Sequence, residues 1–467
     1  MNHESLPLFT RSSLTLVACL VAASCSTATP PSAELHRQDP EPQPEAQGAT
    51  LQEPSHASLD LGASNTGISI GNSENWNGIR LNYRDHGAKN ISGLNLTLWA
   101  PLGRGIDDFD GIAIGGAPSA RDSKGLRLGL AATVSHDSDG IEVAGVASVA
   151  QKDTTGIRVG GIATVAGGDS DGIGVAGIAT VNDGRSRGLH VGGIATVADG
   201  GMLGIHGAGI ATVSGKDMNG IQAAGIAAVA DGDMMGIGGA GIAVVGDKMT
   251  GIHAGGIATV AGADMLGVHA GGVAAVAEGG ISGITAAGVA VVAEKNILGL
   301  HAAGIATVSQ GSITGIGASG LSTVSQQSIT GIEAAGIAMV AEDGVRGLGV
   351  AGLFLSDSKD EPWNVMPRGA DAEESKGATN RGILVAGLRA DATVVEGLTV
   401  AGLINRSHDF DGIGISAHNS VSGMQRGLQV GVFNYAEDLR GVQVGVLNYV
   451  PTNPWFLRWL PLVNFRF

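Results

Sequence analysis

The chain has 467 residues, 78 of them glycine, with only 3% aromatic and 15% charged side chains. A hydrophobic content of 43% with so little charge excludes a disordered chain, and glycine at fixed spacing excludes both collagen and a flexible linker. A formal net charge of −16 without a basic stripe excludes nucleic acid as a partner, and the lack of cysteine after residue 25 excludes a disulfide scaffold, thiolate metal sites and a cysteine nucleophile in the body.

At the N-terminus, Arg11 precedes an apolar stretch from Leu14 to Ala23 that ends in small residues. This is the pattern of a signal peptide over residues 1–24, too short for a spanning helix. The run Ala22-Ala23-Ser24-Cys25 resembles the lipobox of bacterial lipoproteins, whose cysteine is lipidated and becomes the new N-terminus. That family prefers Leu where Ala22 stands. Leu16-Val17-Ala18-Cys19 matches better but leaves too short an apolar run before it. Cys25 is therefore the expected lipid-attachment residue and Cys19 the less favoured one; a plain signal peptide is the alternative. Ser26, rather than Asp, after the cysteine implies by analogy an exported protein of the outer membrane or cell surface of a Gram-negative-type bacterium. The membrane is then a partner through the lipid. Residues 25–58, rich in Pro, Glu and Gln, cannot bury enough apolar surface to offset ordering and read as an extended tether.

Residues 59–124 carry looser glycine units, with Gly111 and Gly125 before the regular block, and Trp76 and Trp99 as candidates to cap this end. From 125 to 355 the chain is a regular repeat. Glycines 140, 156, 172, 188, 204, 220 and 236 are 16 apart, one step of 15 leads to Gly251, and the period of 16 then resumes to Gly347. The unit is G-I-x-[AV]-[AG]-G-I-A-T-V-A followed by five loop residues. Positions two, seven and ten are nearly always aliphatic, and position fifteen begins polar and then becomes Met202, Met218, Met234, Met249 and Met265, followed by Ile281, Ile297, Ile313 and Ile329. Alternation around glycine with β-branched residues predicts short strands, and the Ala-Gly step marks a corner or bulge. A charged segment without period, Ser356 to Arg381, contains Trp363, Pro362 and Pro367 and reads as an insertion loop and weak candidate for partner binding. Units of 14 or 15 residues fill 382–450. The aromatic segment 451–467, with Trp455, Phe456, Trp459, Phe465 and Phe467, is expected to cover the last coil.

Two all-β architectures fit. One is a β-solenoid of roughly twenty coils of 14–16 residues stacked about 4.8 Å apart. The other is a large transmembrane antiparallel β-barrel with one unit per strand. Between Asp110 and Leu353 there is no Phe, Tyr or Trp to form aromatic girdles. That favours the solenoid. The alternating tail W-L-P-L-V-N-F-R-F is the argument for the barrel.

The segment GLQVGVFNYAEDLRGVQVGVLNY from Gly427 to Tyr449 resembles a family of bacterial surface-repeat proteins, several of them lipoproteins, built on G-Ψ-Q-Ψ-G-Ψ-x-N units, where Ψ is aliphatic. Pro461-Leu462-Val463-Asn464-Phe465 is similar to that family's C-terminal segment, and NGIRLNYRD at Asn77 and SGLNLTLW at Ser92 to its N-terminal portion. The middle of the chain departs from the strict unit. The resemblance implies repeats and a surface location, and brings no catalytic residues.

No catalytic motif stands out, and a non-enzymatic structural or adhesive role without cofactor is expected; a barrel pore and a metal-binding repeat module are the alternatives. Position three holds His190, His206, His253, His269 and His301, of which the first four are weak metal candidates as neighbouring pairs. The same position holds Arg158, Gly174, Gln222 and Thr285, which reads as an outward, variable column. Asp-rich loops such as Gly167 to Gly172 resemble calcium β-rolls only faintly, and lack their nine-residue period. A threonine column (Thr164, Thr180, Thr196, Thr212, then Thr259, Thr307 and Thr323) suits an ordinary strand, or, less well, a flat water-ordering face.

Overall fold

The computed structural model describes residues 57–101, 105–357 and 378–466, all within one compact unit, Pro54–Phe467. Cys19, Cys25, most of the tether, Trp363 and Phe467 lie outside the described residues.

The fold is a β-solenoid of about 21 turns. In the regular repeat each turn holds a strand of seven residues and one of four, as in Met202–Ala208 and Ala211–Ser214. Each strand pairs in parallel with the same strand one unit on, so that Met202 faces Met218, Ile205 faces Ile221 and Ala211 faces Ala227. Parallel pairing between short strands is incompatible with the antiparallel, membrane-spanning strands of an outer-membrane barrel, and the barrel alternative falls on this point. Outside the regular block one longer strand makes most of a turn, as in Ile106–Gly115 and Arg389–Ala401.

Two glycine columns explain the composition. Position-one glycines stack from Gly67 to Gly441 and mostly have φ near +120°; a Cβ on Gly204 would lie 2.3 Å from the carbonyl oxygen of Gly188. Position-six glycines form the corner, where a Cβ on Gly225 would come within 1.9 Å of the Gly209 carbonyl oxygen. At both, the backbone of the adjoining coil occupies the space a side chain needs.

Side-chain phase follows from period two. Met202, Met218, Met234, Met249 and Met265, then Ile281, Ile297, Ile313 and Ile329, form a buried column at position fifteen. Position three is an even number of residues further along the same strand, so it points inward too, and position two points out. This overturns the reading of position three as outward: His190, His206, His253, His269, His301, Arg158, Gln222 and Thr285 are all buried, while the isoleucines at position two are exposed. The threonine column is likewise interior, with Thr180, Thr196, Thr212, Thr259, Thr307 and Thr323 fully buried, and offers no water-ordering face. The core is thin. Small residues at positions five and eleven leave room for one Met or Ile column and for polar side chains, some of them paired with one another, as Thr323 is with Glu333.

Length changes fall where they do not disturb the stack. The 15-residue unit loses one loop residue, yet Met234 still faces Met249. Coils adjoin directly across the insertion: Gly347 faces Gly382 and Phe354 faces Arg389. Buried Asp357 fastens the near end of the insertion, accepting hydrogen bonds from Asn380 Nδ2 (3.1 Å) and the Thr393 amide.

Both ends close with one antiparallel strand. Ser58–Ala63 folds back on Thr66–Gly71, and Trp459–Arg466 folds onto the edge of the last coil, with Arg466 facing Gly441. An edge left bare would template further pairing. The tail lies over the last coil with its aromatic side chains outward: Trp455, Phe456, Trp459 and Phe465 are exposed, and buried Asn464 is the inward residue. Trp459 stacks on Tyr449 at 4.2 Å. At the other end Trp76 is buried against the cluster holding Ile91 and Phe109, whereas Trp99 is exposed.

Candidate functional site

The chemistry-bearing side chains sit inside the coil, chiefly at position three. Near the start, Glu142 lies between two guanidinium groups: it contacts Arg127, and its Oε2 is 3.7 Å from Arg158 Nε. Ser148 Oγ donates to the same carboxylate at 2.6 Å, and Arg158 Nη2 donates to the carbonyls of Ser148 (2.8 Å) and Val165 (2.7 Å). Burial pulls Arg127 down to about 9, helped by the neighbouring Arg158 charge, and Arg158 down to about 10. One turn group earlier, Arg80 contacts Asp85 and donates to Asn95 Oδ1 (3.0 Å) and Asn72 Oδ1 (2.7 Å). Paired charges of this kind add little net stability, but a coil slipped by one residue would bury them unpaired, so they suit the fixing of register.

Further along, His190 and His206 stack face to face with centroids 5.5 Å apart and planes 6° from parallel; His253 and His269 do the same at 5.3 Å and 3°. Each Nε2 of the first pair lies 3.1 Å from a serine hydroxyl at position fifteen, Ser170 for His190 and Ser186 for His206. At the corresponding places the second pair has Met234 and Met249, which offer no hydroxyl. Burial, first of all, brings His190, His206 and His253 down to about 4 and lowers His269 as well. The stacks need space beside them: a Cβ on Gly174 or Gly238 would lie 2.6 or 2.7 Å from the Cδ2 of His190 or His253. Gly317 opens a gap of the same kind, across which His301 Nε2 comes 3.0 Å from Glu333 Oε2, two coils away.

These pairs are the four residues with metal-ligand spacing in the sequence, and the fold does bring them together two by two. Their rings are parallel, so the nitrogen lone pairs run side by side rather than converge on one ion. Among the described residues no group of three or more His, Cys, Asp or Glu side chains could hold a metal. The loop aspartates have a different task. Asp153 Oδ1 accepts the Asp169 amide at 2.8 Å, Asp169 Oδ1 the Arg185 amide at 2.8 Å and Asp264 Oδ1 the Gly280 amide at 2.8 Å, while Asn296 does the same for Ser312. Where position fourteen is Asp or Asn, it thus ties its loop to the next.

A ladder that the repeat reading passed over lies near the C-terminus. Asn405, Asn419, Asn434 and Asn448 are buried, and each Nδ2 donates to the next Oδ1, at 3.2, 2.8 and 2.8 Å. Gln443 donates to Gln425 and Gln429 beside it. The recurrence of Asn in the 14–15-residue units was the available signal. The insertion that carries Trp363 lies, from 358 to 377, outside the described residues.

Compared with known proteins, the chain matches no family model, no curated protein and no solved structure at a significant level.

Proposed function

We propose that this chain is an exported, lipid-anchored surface protein whose solenoid serves as a non-enzymatic structural or adhesive scaffold. The observation that carries this reading is the direction of its chemistry. The imidazole, guanidinium and carboxylate groups at position three face inward, Glu142 with Arg127 and His301 with Glu333 among them, while the outside repeats the same few side chains coil after coil. Such an exterior suits contact along a length rather than chemistry at a point. The signal-like N-terminus, the lipobox-like Ala22-Ala23-Ser24-Cys25 and the resemblance of Gly427 to Tyr449 to surface-repeat proteins support export and anchoring. Cys25 carries the lipid in this reading, and the acidic tether holds the scaffold off the membrane.

The test is mass spectrometry of the N-terminal peptide from membranes of expressing cells, paired with protease accessibility of intact cells. The expected result is a mature chain beginning at Cys25 with acyl chains attached, lost from membranes in Cys25→Ser, and a body cut from outside. A mature terminus elsewhere without lipid, or a body protected in intact cells, would contradict the proposal.

A further inference from the structure

One face of the stack carries apolar side chains where a water-exposed sheet normally carries polar ones. On the seven-residue strands the outward residues are those at positions two and four, and position seven stands at the corner. From Ile141 to Leu353 none of these positions holds a charged residue. Within this face the coils from Gly204 to Gly331 differ from the rest. Position four changes from Val, as in Val175 and Val191, to Gly or Ala, as in Gly207, Ala286 and Ala318. The position-two ridge then stands prouder: Ile173 is 38% exposed, Ile316 52%. The small residues line an open groove of about 600 Å³ running along the stack past Ala286, Ala302 and Ala318, and the exposed isoleucines of position two stand beside them on the same strands. A third apolar row joins on alternate coils, with Leu203, Met235, Leu266 and Leu298 all about half exposed.

The geometry points to a second copy of this chain as the occupant, docked face to face over these coils. Three arguments select it. First, the ridge is a row of branched side chains about 4.8 Å apart, and the groove has the same period, so an isoleucine row fits it without mismatch only if it too rises one coil at a time, as in a stacked-sheet interface. Second, the surface is self-complementary, a ridge beside a groove. A two-fold axis along the stack, between the two, seats each copy's ridge in the other's groove; the copies run in the same direction and the contact is isologous. Third, the size suffices. Nine coils rise roughly 43 Å and the face is roughly 20 Å wide, giving on the order of 800 Å² per copy, the size of a standard stable interface. Apolar patches of this extent are rare on monomers. The charge of the chain does not oppose the contact locally: in these coils the exposed charged residues lie in the loops at positions twelve to fourteen, away from the groove, apart from Arg346 at the end of the last coil, and Glu333 is buried inside.

The experiment uses the full chain with Cys19→Ser and Cys25→Ser, followed by analytical ultracentrifugation at micromolar concentration and by thiol cross-linking in a mixture of copies carrying Ile316→Cys and copies carrying Ala318→Cys. The expected result is twice the chain mass, a cross-link between Ile316→Cys of one copy and Ala318→Cys of the other, and at least a tenfold weaker dimer in Ala286→Glu/Ala302→Glu with an unchanged thermal midpoint. Should the glutamates prevent folding, Ile284→Thr/Ile316→Thr keeps branched strand residues and removes the ridge, with the same weakening expected. A monomer at these concentrations, or a dimer that both pairs of substitutions leave intact, overturns the inference. A monomer that floats with phosphatidylcholine vesicles, and ceases to in either double variant, overturns it in favour of a lipid surface.

Discussion

At the scale of the residue, the glycines divide sharply by position. Gly241 stands at the corner, where a Cβ would come within 2.1 Å of the Gly225 carbonyl oxygen; Gly239, two residues earlier, has nothing within 4 Å of the same added atom. Gly241→Ala is expected to cost more than about 3 kcal/mol, since neither backbone can give way. Gly239→Ala is expected to be neutral or to stabilise by up to about 1 kcal/mol, because alanine restricts the unfolded chain and the native site accepts it. Urea denaturation of the two variants checks the contrast, and equal effects would contradict the stacking described. The sequence showed both glycines as repeat members but not which are spatially obligatory. The two invariant columns mark the close approaches, and position four, which varies among Gly, Ala and Val, marks open space.

At the scale of the element, the period, the strands and the corner were legible, and the side-chain phase was not. Isoleucine at position two invites an inward placement. The interior instead accepts His, Arg, Glu, Thr and Asn because the adjoining coil partners much of what a single strand would leave unsatisfied, as in the asparagine ladder and around Glu142. The signal that fixes the phase was present: the Met and Ile column at position fifteen and the histidines at position three are separated by an even step along one strand. The histidine column also sets a pH dependence. His190, His206 and His253 have folded values near 4, below the ordinary 6.5, so the unfolded chain takes up their protons first as pH falls. Their contribution is intact above about pH 6.5 and is lost progressively toward pH 4, on the order of 3 kcal/mol for each. Asp357, raised to about 6 by burial, acts in the opposite sense over the lower part of the same window. Net loss of stability is expected between pH 7.5 and pH 5 in urea titrations, and His190→Gln/His206→Gln is expected to flatten it. Identical midpoints at the two pH values in the parent chain would refute the assignment.

At the scale of the whole molecule, one rule governs assembly: each coil repeats the last one a strand spacing further on, and the length changes of the regular block are placed in loops. The missing loop residue before Gly251 and the insertion after Asp357 leave the glycine column continuous. The most direct test is electron–electron distance measurement between spin labels at equivalent loop positions, in a chain with Cys19→Ser and Cys25→Ser. One label stays at Asp199→Cys. The second is placed at Glu278→Cys, five coils on, or at Glu342→Cys, nine coils on. A stack gives distances of about 24 and 43 Å, rising linearly with coil number. Distances that level off between the two pairs, as they would around the rim of a closed barrel, would contradict the solenoid.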